Sequence, residues 1–330
     1  MNNFKAIILA GGSGERFWPL STAEHPKQFL RIFGGDSLLR QSVTRLLGIA
    51  KAKDIYVVTA QALVAATRRE VRELPRANVI GEPMRRDTGA AIALGVGMAD
   101  DGKDPILGFF SSDQFANDVA KFQKTLTAAI RLAAKSKSIV TIGIKPNYPA
   151  TQFGYVNPKT GSFVEKPNML KARAYLKRGY LWNAGMFIGR ASVFQAAFAE
   201  HAPKLLPLTA SVSPRSLHRL YATLPKISFD YAVMEKLKCV KVVKGDFGWD
   251  DVGSYSAFDK YFPHDARGNV REGPCTVVES EGNICVARSA RISLLGVKNL
   301  VVVTTPNYVL VVDKARLSEM KKLFTSRGDF

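Results

Sequence analysis

Between Lys5 and Ile142 the chain alternates short apolar runs with longer amphipathic segments, and this rhythm constrains the fold more than any other feature. Apolar runs predict strands at Lys5–Ala10, Ile55–Thr59, Val79–Ile80, Ile106–Phe110 and Ser138–Ile142. Between them, helical periodicity predicts Ser37–Ile49 with Asp36 as N-cap, Ala62–Leu74, Thr88–Ala99 capped by Asp87 or Thr88, and Asn117–Ala134. Strands spaced by helices of about 10 to 15 residues make βαβ units. The expected class is therefore α/β, a mostly parallel sheet with helices on both faces.

From about residue 145 the order loosens. Short strands at Ser162–Glu165, Met186–Ile188 and Val240–Val243 mix with helical patterns near 169–178, 191–200 and 228–237. After Phe262 the style changes again. Val270–Asp313 is built of short β-rich runs, and one helical pattern, Arg316–Phe324, follows. Turn chemistry in "PHDARGN" marks the boundary, giving a large N-terminal domain over 1–265 and a small C-terminal β-rich domain over 266–330. No strict repeat is visible there, but short strands of this kind suit the coils of a β-solenoid.

Composition removes several functions. No apolar run approaches the roughly 18 to 20 residues of a membrane helix. The N-terminus is strand-like from Phe4, so no secretory signal is expected. The three cysteines, Cys239, Cys275 and Cys285, lack CxxC spacing and read as thiols in a reducing cytoplasm. The four histidines are scattered, which argues against zinc. A net charge of +19 raises nucleic acid as a partner, but the basic residues are dispersed and not interleaved with aromatics. An enzyme acting on small polyanions accounts for the charge better, beside the plainer reading of a solvated basic surface.

The stretch "ILAGGSGERFWPLSTAEHPKQFL", Ile8–Leu30, places a glycine-rich turn straight after an apolar strand. A P-loop needs lysine directly after its last glycine, and Gly14 is followed by Glu15. A dinucleotide fingerprint needs a third glycine where Phe17 stands. What remains is a cradle of backbone amides, with Arg16 just beyond it and Lys27 on a later turn. A ligand-free βα turn would explain the glycines, though not Arg16 and Lys27 together.

The pattern G-G-x-G-x-R-x-x-P-L followed by P-K resembles the opening of the sugar-1-phosphate nucleotidylyltransferases. Its continuation, Pro26-Lys27-Gln28-Phe29-Leu30, is similar to the mannose-1-phosphate guanylyltransferases (GDP-mannose pyrophosphorylases). "VEKP" (164–167), "WNAGMF" (182–187), "SFDYAVMEK" (228–236) and "GWDDVGSY" (248–255) follow in the family's order, and the β-rich tail resembles its short β-helix. The resemblance covers nearly the whole chain. It implies a Rossmann-like fold of the nucleotide-diphospho-sugar transferase type. It also implies an enzyme converting GTP and mannose 1-phosphate to GDP-mannose and pyrophosphate; the alternatives are the same reaction with another nucleotide or hexose 1-phosphate, or a non-catalytic nucleotide-sugar-binding relative. The composition read above adds a cytoplasmic location and no nucleic acid or membrane partner. The phosphomannose isomerase domain of longer bifunctional relatives is not expected. A homodimer through the tail is a further family-level expectation.

The same resemblance implies roles by residue. Leu9, Ala10, Gly11, Gly12 and Gly14 would hold the nucleotide, and Arg16 would face the leaving pyrophosphate. Lys27 and Lys166 would neutralise the α-phosphate and the sugar phosphate. Glu82, Pro83, Thr88 and Gly89, in "GEPMRRDTGAA" (81–91), would meet the base, with backbone carbonyls of the loop or Glu82 as acceptors for guanine N–H donors. Gly154, Glu165, Asn183 and Asp230 would form the sugar pocket, and Asp113 and Asp251 would ligate Mg²⁺ or another divalent ion such as Mn²⁺. Plainer readings stand beside these: Asp113 as a turn residue, Asp250 or Asp251 as a helix cap, Asp230 as the N-cap of the helix after it, and Glu165–Lys166 as a surface pair. Trp18, Trp182 and Trp249 are expected to pack. Two departures from the family pattern stand out. Gln114 follows Asp113 where histidine is usual, and Arg86-Asp87-Thr88-Gly89-Ala90-Ala91 replaces R-N-T-A-P-A.

Overall fold

In β1 (Phe4–Ala10) every position but Leu9 is buried, so the strand must be covered on both faces, as central strands of a parallel sheet are. The computed structural model describes residues 3–12 and 14–325 and places β1 accordingly. Contacts divide the chain into two compact units.

The first unit combines the chain up to Gly11 with Leu39–Trp249. Its sheet is built from β1, β2 (Ile55–Ala60), β3 (Val79–Glu82), β4 (Ile106–Ser111), β5 (Val140–Ile144), β6 (Tyr155–Val156), β7 (Phe163–Val164), β8 (Leu181–Arg190) and β9 (Lys241–Gly245). The order is β9-β5-β8-β4-β1-β2-β3, with β6 and β7 attached beside β8. All pairs are parallel except those involving β8 and the β6–β7 hairpin. The parallel register sets Ala6 opposite both Ile55 and Gly108, so β1, β3 and β4 deliver Gly11, Glu82 and Asp113 at their carboxyl ends, where open α/β sheets present ligands.

Six of the described helices follow the predicted rhythm: α1 (Leu38–Leu47), α2 (Val64–Glu70), α3 (Asp87–Ala99), α4 (Val119–Lys135), α5 (Met169–Lys177) and α6 (Ala191–His201); α7 (Pro214–Thr223) lies outside the predicted patterns, and the pattern over 228–237 resolves into α8 (Phe229–Ala232) and a 3₁₀ turn, Met234–Lys236. The pattern over 62–74 resolves into a 3₁₀ turn, Gln61–Leu63, and the shorter α2. The expected caps of α3 are corrected: Arg86 is the N-cap, Asp87 only accepts from the adjacent Thr88 amide, and the Thr88 hydroxyl accepts from the Phe229 amide at 2.9 Å. Helix α3 is buried on nearly every side, as expected of a helix with no polar face.

The second unit combines Gly12–Leu38 with the chain from Asp250 onward. It holds α9 (Ser256–Tyr261), β10 (Val270–Glu272), β11 (Cys275–Val278), β12 (Ile284–Ala287), β13 (Ile292–Leu295), β14 (Leu300–Thr304), β15 (Val309–Asp313) and α10 (Lys322–Thr325). Strands β10, β12 and β14 stack in parallel and β11 pairs in parallel with β13, which is the coil stacking of a solenoid; antiparallel β15 ends it. Between coils runs an asparagine ladder. Asn283 Nδ2 donates to Asn269 Oδ1 at 2.9 Å, and the Leu300 amide donates to Asn283 Oδ1 at 2.9 Å. Both asparagines are fully buried, and such groups are tolerated only when paired. The Asn-aliphatic pair recurring at Asn269-Val270, Asn283-Ile284 and Asn299-Leu300 is the repeat that composition hid.

Segment 12–38 is fastened to the rest of its unit by aromatics. The Tyr255 hydroxyl donates to the Phe17 and Trp18 carbonyls at 2.9 and 3.1 Å, Trp18 packs on Tyr308, and Phe33 meets Tyr261 edge-on. Among the described residues, no helix is long and apolar enough to cross a membrane.

Candidate active site

The glycine turn supplies two exposed backbone positions, Gly11 and Gly12, then bends at Gly14 with φ 70°. The Gly14 carbonyl accepts from the Phe17 amide at 2.9 Å and from the Ser21 hydroxyl at 2.5 Å. Opposite Gly14 stands Lys27. A Cβ on Gly14 would lie 2.6 Å from Lys27 Cβ and 2.7 Å from its amide nitrogen. The lysine distant in sequence is thus packed directly on the turn, and only a residue without a side chain leaves room for it.

Lys27 is buried, and its ammonium donates to the Asp251 carbonyl at 2.9 Å while resting over the Phe17 ring. The exposed Arg16 guanidinium and the Asp251 carboxylate both face Gly253, at 3.3 and 3.1 Å from where a Cβ would sit. Between Asp251 and Gly253, the β-branched Val252 has φ 47°, a strained conformation held by the Val252 amide donating to Asp250 Oδ1 at 2.7 Å. Asp250 is otherwise engaged by Lys260 and Tyr261 at 2.5 and 3.0 Å. Helix α9 begins with Tyr255 as its cap, so neither aspartate caps it.

In the first unit, Asp113 follows β4 and accepts from the Ser111 hydroxyl. The Leu9 and Ala10 carbonyls are occupied by the Ser112 amide and the Thr59 hydroxyl. Glu82 leaves β3 with Oε2 3.6 Å from where a Cβ on Gly11 would lie. Its Oε1 accepts from the buried Tyr221 hydroxyl at 3.0 Å. Burial pushes Glu82 up to about 7, against the pull of the Tyr221 hydrogen bond and with a small push from Asp87.

A separate cluster joins β6 to β8 and α8. The Asn183 amide donates to the Gly154 carbonyl at 2.8 Å, and Asn183 Nδ2 donates to Asp230 Oδ1 at 3.2 Å. A Cβ on Gly154 would lie 2.6 Å from Glu165 Oε2, so this glycine exists to admit the carboxylate. The Glu165 side chain is 7% exposed and pairs at 3.1 Å with Lys166, whose side chain is 52% exposed, so only the lysine end of the pair lies at the surface. Burial pushes Asp230 up to about 7, with the Glu165 charge adding to it, and burial likewise raises Glu165. Burial opposes the Lys166 charge, but the Glu165 and Asp230 carboxylates outweigh it and hold the ammonium above its usual range. Lys166 itself has φ 42°, a second strained residue beside carboxylates. The N-cap of α8 is Ser228, whose hydroxyl accepts from Tyr231, so Asp230 is not a cap.

A family model described as nucleotidyl transferase matches residues 5–268. The chain belongs to the nucleotidyl transferase family. A second model, for the MannoseP isomerase/GMP-like beta-helix domain, matches residues 273–326 of this nucleotidyl transferase. The enzyme named mannose-1-phosphate guanylyltransferase from Escherichia coli is 36% identical over 341 residues, covering 96% of this chain and 72% of its own. Xanthan biosynthesis protein XanB of Xanthomonas campestris pv. campestris is 36% identical, covering 98% of this chain and 73% of its own. The crystal structure described as mannose-1-phosphate geranyltransferase from Thermus thermophilus superposes with a TM-score of 0.89 at 32% identity, covering 98% of this chain and 99% of that one. The family transfers a nucleotide to a sugar 1-phosphate.

Both departures in this nucleotidyl transferase have local explanations. Gln114 Nε2 donates to the Ala184 carbonyl at 2.8 Å, bracing β8 beside Asn183, while its Oε1 is buried without a partner. Gly89 donates its amide to the Ile227 carbonyl at 3.1 Å, and a Cβ there would lie 2.7 Å from the same oxygen. The altered loop is therefore docked on segment 227–229, where a larger residue would clash. Trp18, Trp182 and Trp249 are all buried, as packing demands.

Proposed function

We propose that this chain transfers GMP from GTP to the phosphate of mannose 1-phosphate, releasing pyrophosphate. The names of relatives 36% identical over 96% of the chain support the substrates. The observation that carries the site reading is that one chain holds both the amide turn at Gly11–Gly14 and a buried carboxylate-amide cluster at Gly154, Glu165, Asn183 and Asp230. The first suits a triphosphate; the second suits sugar hydroxyls, which both donate and accept.

A sugar-phosphate oxygen attacks the α-phosphorus in line as the bond to pyrophosphate breaks, so positioning and charge stabilisation dominate. Gly11, Gly12 and Gly14 cradle phosphates, and Arg16 faces the leaving group. Lys27 and Lys166 offset charge on the α-phosphate and the sugar phosphate. Glu82, Pro83, Thr88 and Gly89 form the base pocket.

Asp113 and Asp251 would hold a divalent cation. Among the described residues no group of three or more His, Cys, Asp or Glu side chains could hold a metal. A carboxylate pair suits Mg²⁺, which takes its remaining oxygens from water and substrate phosphates. When bound, the cation supplies positive charge to the phosphates.

The domain assignment, 1–265 catalytic and 266–330 a β-helical tail, belongs to the same proposal, with the chain acting as a cytoplasmic homodimer. Free Cys239, Cys275 and Cys285 are in keeping with a reducing compartment.

A pyrophosphate-release assay over a grid of nucleoside triphosphates and hexose 1-phosphates tests the activity. GTP with mannose 1-phosphate should give a kcat/KM at least about tenfold above any other pair. Equal values for GTP, UTP and dTTP would defeat the guanine assignment, and no release from any pair would defeat the enzyme.

Asp230 yields a prediction of the opposite sign for stability and activity. Its folded value of about 7 exceeds the roughly 3.9 of an unfolded aspartate. The stability it contributes is thus present below about pH 4 and lost as the pH rises through 7. Asp230→Asn removes that loss and keeps an acceptor for Asn183. Its melting temperature should exceed wild type by about 3 °C more at pH 8 than at pH 5.5. KM for mannose 1-phosphate should rise about tenfold. A melting difference that does not change with pH would refute the assignment of a buried, titrating Asp230.

A further inference from the structure

Helix α7 and the loop after β3 are joined in a way the reaction scheme above does not use. Tyr221, on α7, is fully buried, and its hydroxyl donates to Glu82 Oε1 at 3.0 Å. Oε2 of the same carboxylate is turned toward the Gly11 position. The two oxygens of Glu82 thus have different surroundings: one carries a fixed hydrogen bond, the other lies beside the glycine turn.

The helix that carries Tyr221 is itself held by the nucleotide loop. Arg86 Nε donates to the Tyr221 carbonyl at 2.7 Å, and Arg86 Nη2 donates to the Ala222 carbonyl at 3.1 Å. These are last-turn carbonyls of α7, at the helix end that favours a cation; the Tyr221 carbonyl also accepts from the Leu224 amide at 3.4 Å. The Gly89 amide and the Thr88 hydroxyl continue the attachment to Ile227 and Phe229. Loop and helix therefore form one piece, with Tyr221 aimed at Glu82.

We infer that Tyr221 is the positioning residue for base selection: its hydroxyl fixes the Glu82 carboxylate so that the second oxygen faces the N1–H and N2–H donors of guanine. This rests on the reading of Glu82 as the base acceptor. Guanine presents donors where adenine N1 is an acceptor, so an oriented, ionised carboxylate separates the two purines. Burial works against ionisation of Glu82, and Asp87 adds to that. The Tyr221 hydrogen bond works the other way, less strongly than burial, and favours the ionised acceptor form. The tyrosine hydroxyl, pushed far up by burial and by Glu82, stays a donor throughout. Removing it costs Glu82 both its orientation and part of its charge.

Steady-state kinetics of Tyr221→Phe and Glu82→Gln, with GTP and ATP as alternative donors, test this. Tyr221→Phe should raise KM for GTP about tenfold and reduce the GTP:ATP preference by a similar factor. Turnover at saturating GTP should stay within about twofold, and KM for mannose 1-phosphate should not move. Glu82→Gln should lose the preference at least as fully. If Glu82→Gln keeps the GTP preference, the reading of Glu82 fails and this inference with it. If Glu82→Gln loses it while Tyr221→Phe keeps both KM and preference, Tyr221 is merely a packing residue and the function proposed above is untouched. A parallel fall in kcat and affinity for both substrates would also mark a structural role. Should the Phe variant not fold, Tyr221→Gln and Tyr221→Leu, similar in size but differing in a donor, replace it. Equal GTP:ATP preference in those two would overturn the inference.

Discussion

Asp251→Asn is expected to lower kcat at least about 100-fold, about 2.7 kcal/mol of transition-state stabilisation, with little change in melting temperature. The substitution keeps shape and removes the charge of one proposed metal ligand. Lys27 is anchored on the Asp251 carbonyl, which the substitution leaves in place, so the lysine should stay put. The neighbour makes the control. The Asp250 carboxylate accepts from the Val252 amide, from Lys260 and from Tyr261, and holds the left-handed Val252 that aims the turn. Asp250→Asn should therefore cost stability, lowering the melting temperature by several degrees, at about 2–4 °C per kcal/mol. Its kcat at saturating Mg²⁺ should fall far less than that of Asp251→Asn. A large loss of turnover in Asp250→Asn beside a small one in Asp251→Asn would place the metal ligand one residue earlier.

How much of this was legible beforehand depended on whether the signal was local. The βαβ rhythm was visible because burial on both faces leaves continuous apolar runs, as in β1 and β4. Met186–Ile188 was legible only as the middle of a strand that spans Leu181–Arg190, since "LWNAG" mixes an asparagine and a glycine into a buried antiparallel strand. Helix α7 went unread although it carries its own signals: Ser213 caps it by accepting from Ser216, and Pro214 occupies its first turn. Within the candidate site, the motifs point to the residue types proposed above for the phosphate and sugar groups. What no motif encodes is contact at a distance, such as Tyr221 on Glu82 across 139 positions, or the Gly154 backbone making room for Glu165. The asparagine ladder was hidden for a related reason: its repeat is two residues wide inside coils of unequal length.

Gly14→Ala should be as damaging as Asp251→Asn, without touching a charge. At φ 70° an alanine pays about 1–2 kcal/mol for the left-handed conformation alone. The larger problem is contact. The new methyl would sit 2.6 Å from Lys27 Cβ and 2.7 Å from the Lys27 amide nitrogen, both anchored atoms rather than the end of a flexible chain. Either the turn or the lysine backbone must retreat. The turn is tied through the Gly14 carbonyl to Phe17 and Ser21, and Lys27 through its ammonium to Asp251, so any retreat moves a group proposed to face phosphate. A displacement near 1 Å in such a site costs about 100-fold. The expected result is a loss of kcat/KM of at least that size, with a fall of a few degrees in melting temperature. Gly12→Ala is the comparison, because nothing lies within 4 Å of a Cβ there. It should melt as wild type does and lose about tenfold or less. If Gly14→Ala instead keeps kcat/KM within threefold of wild type, the close packing of the turn on Lys27 is not what activity depends on.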